Sequence, residues 1–324
     1  MHTREASVGR ARAGWSARLH VVTGKGGTGK TSVAAALALA LARDGRRTLL
    51  IEVEGRQGIA QLFGTEPLPY EERTIARVEG GGEVRALAVD AEEALLEYLE
   101  MFYKLGAAGR ALRRFGAIDF ATTIAPGLRD VLLTGKVKEA TTRTAGGRRV
   151  YDAVVLDAPP TGRIGRFLNV TAETARLAKV GPIKTQSEGV AALLRSPITA
   201  VHVVTLLEEM PVQETVDAIA ELTSMGIRLG RVIVNSTRSP LLAGRVSRPD
   251  LRRGLVAAQL PHDDATVSAL LVEAENHLVR QALEDSLRGD LLELDLPLIE
   301  LPLLLDGVDR AGLDALADRL AAAE

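Results

Sequence analysis

The residues best equipped for chemistry stand in one run, Gly24-Lys25-Gly26-Gly27-Thr28-Gly29-Lys30-Thr31. Their spacing satisfies G-x-x-x-x-G-K-S/T, the phosphate-binding loop that joins a strand to the N-terminus of a helix. Such a loop must aim consecutive backbone N–H groups at phosphate oxygens. Glycines supply the positive φ angles and the close approach that a Cβ would block. A helix opening at Lys30 adds free amides and the positive end of its dipole. Lys30 is then the residue to reach the β and γ phosphates, and the Thr31 hydroxyl is a ligand for Mg²⁺, with Ser32 beside them in the first turn.

The elements that must hold this loop are legible on either side. Leu19, Val21 and Val22 make a short β-branched apolar run ending at Gly24. Ser32 to Arg43 reads as a helix closed by Asp44-Gly45, and Thr48 to Val53 as a second strand apolar enough to be buried on both faces. The expected architecture is an α/β, mostly parallel, doubly wound sheet of the P-loop NTPase kind. Glu54-Gly55-Arg56-Gln57-Gly58 then falls at the carboxyl end of a strand, where open parallel sheets bind their ligands.

Further strands are expected at Glu83 to Val89, Val150 to Leu156, Ala200 to Leu206, Arg231 to Val234 and Leu296 to Leu301. The second of these five strands runs into Asp157, an acid closing an apolar strand and placed to hold Mg²⁺ through water. Asp157 is followed by Ala158-Pro159-Pro160-Thr161-Gly162-Arg163, a turn stiffened by proline, with Gly162 permitting close approach. Asn235 and Pro302 close two later strands. From about 91 to 145 the pattern is helical and too long for a loop between strands, so a helical insert is expected there. It holds Tyr98, Phe102, Tyr103, Phe115 and Phe120, which either pack on each other or form an apolar groove for a client helix. Helices are expected at Val212 to Ser224, Ala265 to Arg288 and Asp309 to Ala322, and a mobile loop with at most a short helix at 238–263.

Composition narrows the functions. The chain of 324 residues is 46% hydrophobic but only 3% aromatic, which favours aliphatic helices packed on a sheet. A net charge of −2, mixed along the chain, advertises no basic face for nucleic acid. With no cysteine, disulfides, thiolate zinc sites, iron–sulfur clusters and thiolate capture of trivalent arsenic are excluded. The 5 histidines have no ligand spacing. The apolar stretch Val33 to Ala42 falls short of the roughly 20 residues a membrane span requires, so no stable membrane insertion is expected. Residues 1–17, rich in Arg, Ala and Gly without an apolar signal core, read as a flexible arm before a P-loop domain over 18–324, and the protein as cytosolic.

Lys25 lies one residue after the first glycine, and K-G-G-x-G-K-S/T resembles the deviant phosphate loop of the septum-site, partition, nitrogenase iron-protein and arsenite-pump ATPases. Within that group, D-A-P-P-T-G-R from Asp157 resembles the D-T-A-P-T-G-H second switch of the arsenite-pump and tail-anchored-protein-targeting (guided entry) ATPases. Pro126-Gly127-Leu128-Arg129-Asp130, Glu208-Glu209-Met210-Pro211 and Asn235 fall in the same order as that family's segments, so the chain is identified as a bacterial, cysteine-free member.

The resemblance implies an ATPase using ATP and Mg²⁺, active as a homodimer or as a heterodimer with a related ATPase. It implies that Lys25 reaches the phosphates of the other subunit, that Gly162 senses the γ phosphate, and that Asn235 and Pro302 lie against adenine. Glu54 stands where the family has an aspartate that orients the attacking water, one methylene longer here, and small misplacement costs rate steeply. From the residues alone, alternative readings stay open: Lys25 as a solvated loop lysine, Glu54 as a turn carboxylate, Asn235 as a turn residue and Arg163, in place of the family histidine, as a surface ion-pair partner. Three functions follow: a dimeric ATPase whose cycle drives a protein or membrane-protein client, a weakly hydrolysing nucleotide-binding subunit of a heterodimer, and, ranked last, a DNA-partition ATPase.

Overall fold

The computed structural model describes residues 15–103, 126–169 and 182–323. In chain order the elements are β1 (Leu19–Gly24), α1 (Lys30–Leu41), β2 (Arg47–Glu52), α2 (Gly58–Phe63), β3 (Arg73–Arg77), β4 (Glu83–Ala88), α3 (Ala91–Tyr103) and α4 (Pro126–Thr142). A two-strand hairpin, β5 (Thr144–Ala145) with β6 (Arg148–Arg149), leads to β7 (Ala153–Asp157), α5 (Thr161–Leu168) and α6 (Pro182–Leu194). Then come β8 (Thr199–Thr205), α7 (Glu209–Ser224), β9 (Leu229–Thr237), α8 (Arg248–Ala257), α9 (Asp264–Leu292), β10 (Leu298–Pro302) and α10 (Arg310–Ala321).

Eight strands form one sheet in the order β10-β9-β8-β1-β7-β2-β4-β3. Every pairing is parallel except that of β3 with β4 at the edge. The chain leaves β1 for β2 on one side, and later crosses from β7 to β8 on the other, so the winding reverses at β1. In such sheets the crevice at the reversal point, outside the carboxyl ends, is where ligands bind. The phosphate loop occupies that place.

Strand residues alternate between two cores, as a period of two requires. Val22, Leu50, Val155 and Val204 face α1, α2 and α10, whereas Val21, Leu49, Ile51, Leu156 and Val201 face α3, α4, α5 and α6. Val203, Val232 and Val234 meet α7 and α9 on this second side. Both faces are covered, which is why these strands are continuous apolar runs.

The expected α/β sheet is present. One expectation changes. Trp15 and Ala17, assigned to the N-terminal arm, are buried, with Trp15 packed into the core that holds α1. The stretch 238–263 holds a ten-residue helix, α8, started by Ser247, whose hydroxyl accepts the Asp250 N–H at 3.3 Å, with proline in the first turn. The described ends of the insert join the main core: Ala94, Leu95 and Tyr98 of α3 and Val131, Leu133 and Val137 of α4 are buried with the sheet. Phe115 and Phe120, and the side chains of Phe102 and Tyr103, lie outside the described residues.

Candidate functional site

The phosphate loop turns over the end of β1 with geometry that glycine alone meets at two points. A Cβ on Gly24 would stand 2.1 Å from the Val204 carbonyl oxygen of β8. Gly29 has φ +84°, and a Cβ there would stand 2.3 Å from Asn235 Nδ2. That amide donates to the Thr28 carbonyl at 2.9 Å, so Asn235 at the end of β9 braces the loop from the side. Around Gly26, Gly27 and Gly162 a Cβ would meet nothing within 4 Å. The space beside these three glycines is open.

Lys30 curls back along the loop and donates to the Lys25 carbonyl at 3.3 Å. Burial pushes its ammonium below the ordinary lysine range, against the pull of the nearby Asp157 and Glu54 charges. One residue on, the Thr31 hydroxyl donates to Asp157 Oδ2 at 2.7 Å. The other oxygen of Asp157, Oδ1, is buried with no hydrogen-bond partner. Burial pushes the Asp157 carboxyl up to about 6, opposed by the Thr31 hydrogen bond and the Lys30 charge. A buried, half-satisfied carboxylate beside a hydroxyl is what a hard cation would complete. Among the described residues no group of three or more His, Cys, Asp or Glu could hold a metal. A cation such as Mg²⁺ takes one or two protein oxygens and fills the rest with phosphate and water, a number that the paired Thr31 and Asp157 could supply.

The turn Ala158 to Pro160 and the start of α5 follow directly after Asp157. Thr23 Oγ1 donates to the Pro159 carbonyl at 2.7 Å, tying this turn to β1. Thr161 Oγ1 donates to Glu214 Oε2 of α7 at 3.0 Å, and the other oxygen of Glu214 holds Lys25 Nζ at 2.8 Å. Lys25 therefore pairs with a carboxylate of its own chain, and this pairing holds Glu214 below the usual carboxylate range. Arg163 Nη1 lies 3.4 Å from Glu54 Oε1, so the residue in the histidine position reaches across to the turn that follows β2. Arg56 Nε approaches the other Glu54 oxygen at 3.6 Å.

Glu52, two residues before Glu54, was not singled out in the sequence. Its buried carboxylate accepts the Gln57 N–H at 2.5 Å and the Ile59 N–H at 3.2 Å, capping α2 and pinning the turn that carries Glu54. Gln57, with φ +56°, locks the same turn by exchanging side-chain hydrogen bonds with the Leu68 backbone at 3.1 and 2.7 Å. The alternation Glu52-x-Glu54 at a strand end was the available signal. Glu214 carried none, because its partners are brought to it by the fold.

The structure thus gathers the loop Gly24 to Thr31 with Asp157, Glu54, Gly162 and Asn235. Ser32 sits half-buried in the next position of α1. Pro302 is further out, at the end of β10, lining a cavity of about 490 Å³ with Thr237, Arg238, Arg280, Glu284 and Arg319.

A sequence profile described as anion-transporting ATPase matches residues 17–194. The chain is 53% identical over 330 residues to ATPase BagA of Mycobacterium tuberculosis H37Rv, covering 97% of each protein. It is 26% identical over 249 residues to ATPase GET3 of Kluyveromyces lactis, covering 66% of this chain and 70% of that one. Against ATPase get3 of Schizosaccharomyces japonicus it is 27% identical over 248 residues, covering 66% and 72%.

Proposed function

The chain belongs to the ArsA-type anion-transporting ATPase family, and from that premise we propose that it binds ATP with Mg²⁺ at the ends of β1 and β7 and hydrolyses it as a dimer. The observation that carries this reading is the Thr31–Asp157 pair, with its partnerless buried oxygen, in a chain whose glycine loop is open at Gly26 and Gly27. Thr31 and Asp157 are the residues that would hold Mg²⁺, whose chemistry there is to neutralise phosphate charge. The loop amides and Lys30 bind the phosphates, Gly162 offers its N–H to the terminal one, and Glu54 orients the attacking water. Lys25 serves the partner subunit's nucleotide, in the manner of a cation supplied in trans.

Chemistry at this site has a route to the insert. Residues of α4 share one buried core with Leu156 of β7 and with Ile164, Phe167 and Leu168 of α5. A shift of the second switch therefore presses on α4, and through it a protein client is moved. Among the described residues no helix is long and apolar enough to cross a membrane, and the reading places this cycle in the cytoplasm.

Phosphate release measured with Lys30→Ala and Lys25→Ala tests the proposal. Removing one such electrostatic contact costs roughly 100-fold or more. Unchanged turnover in both variants overturns it.

The contacts of Glu54 favour a second reading, in which this chain binds ATP but hydrolyses it poorly unless paired with a related ATPase. Its carboxylate lies between two guanidiniums, and a carboxylate engaged by arginine is a poorer base for water. In this reading Glu54→Asp, restoring the family residue, raises turnover of the purified chain. A chain that turns over rapidly alone rejects it.

A further inference from the structure

Glu214 joins three elements through two oxygens. Oε1 takes the Lys25 ammonium of the phosphate loop at 2.8 Å, and Oε2 takes the Thr161 hydroxyl at 3.0 Å, one residue before Gly162. The carboxylate stands on α7, whose Leu222 lies in the same buried core as Ile164, Phe167 and Leu168 of α5. A movement of α5 is therefore felt at both ends of the Glu214 contact, through the Thr161 hydroxyl and through the helix beneath.

Resting on the ATPase reading above, we infer that Glu214 is a positioning residue that keeps Lys25 in its own subunit until a partner's nucleotide draws the lysine across. Lys25 cannot serve a phosphate while its ammonium is committed to this carboxylate. A triphosphate carries several negative charges against the single charge of Glu214, so the exchange runs toward phosphate once nucleotide is bound. The pair is about one-third exposed on each side, 29% for Lys25 and 34% for Glu214. An ion pair so solvated shifts an equilibrium by no more than about fivefold. The contact thus sets a bias against premature pairing of subunits rather than a block. Because Thr161 shares the carboxylate, a movement of the segment around Gly162 also moves the group that holds the lysine.

The test is a double-mutant cycle on the full chain, read by sedimentation with a non-hydrolysable ATP analogue and Mg²⁺, and by the affinity for that analogue. Glu214→Gln keeps an oxygen for Thr161 and a good helix former on α7 while removing the charge. Self-association in the analogue is expected to tighten about two- to fivefold, with an unchanged thermal midpoint. In a Lys25→Ala background the same substitution is expected to have no effect, and Glu214→Asp to behave closer to the unsubstituted chain. An equal gain in the Lys25→Ala background, or no gain in either, overturns the role of Glu214 while leaving the ATPase reading standing. An unsubstituted chain that fails to bind the analogue overturns both.

Discussion

Single residues in this site are constrained in two separable ways, by the chain's own packing and by what the loop is built to hold. Gly24 belongs to the first kind, since its missing Cβ makes room for the Val204 carbonyl, a backbone atom that cannot swing aside. Gly24→Ala is expected to cost about 1–3 kcal/mol of stability, the range for forced overpacking, and to lower the urea midpoint. Gly29 belongs to the second, because the atom in its way is the Asn235 side-chain amide, which can move, although φ +84° still resists a Cβ. Gly29→Ala is expected to reduce nucleotide affinity at least roughly tenfold with a smaller loss of stability, since displacing Asn235 frees the Thr28 carbonyl and disorders the loop. Equal effects of the two substitutions on stability, measured in urea, would show that this division is wrong.

At the scale of elements, the far ends of β1, β8 and β9 are joined by a buried relay. The Arg231 N–H donates to His202 Nδ1 at 3.1 Å, His202 Nε2 meets His20 Nδ1 at 3.1 Å, and His20 Nε2 meets the Ala17 carbonyl at 2.9 Å. An amide only donates and a carbonyl only accepts, so the protons run one way and both rings are neutral. Burial lowers His20 from 6.5 to about 4, and lowers His202 well below its usual range. The unfolded chain takes up protons near the ordinary histidine value while the folded one refuses them, so stability is full above that value and falls as pH drops toward 4. For His20 the loss is on the order of 3 kcal/mol. Urea midpoints at pH 7.5 and 5 are expected to differ more for the unsubstituted chain than for His202→Gln, and equal differences would remove the relay from the account. This relay was not legible, because the two histidines stand far apart in sequence and meet only through strand pairing. The strands buried on both faces and the loop with its Lys30, Thr31 and Asp157 were legible, since unbroken apolar runs and fixed spacings are local properties. β3 was not, having a single buried residue, Ala76, on an antiparallel edge. Neither was α2, a six-residue helix opened by a left-handed Gln57 and capped by Glu52 through the fold. The start of α8 could have been read from Ser247, Pro249 and Asp250, since that cap is made within one turn.

The whole molecule has its reactive edge on one side of the sheet's strand ends and its relay on the other. If the active form is a dimer joined through nucleotide, sedimentation of the unsubstituted chain is expected to shift from monomer to dimer on adding ATP analogue with Mg²⁺. The shift is expected to weaken in Lys25→Ala, and a mass independent of nucleotide would refute the shared site. Trp15 offers a second view of the same event. It is the 1 tryptophan of the chain, its ring 5.1 Å from that of His202 and 4.9 Å from the Arg231 guanidinium. β1 separates it from the phosphate loop by roughly 20 Å, six residues at a strand's rise. The protein therefore carries an optical probe already installed at the quiet end of its central strand. Ultraviolet emission that changes when nucleotide arrives would report that the event is felt along the full length of β1, and silence would confine it to the loop side.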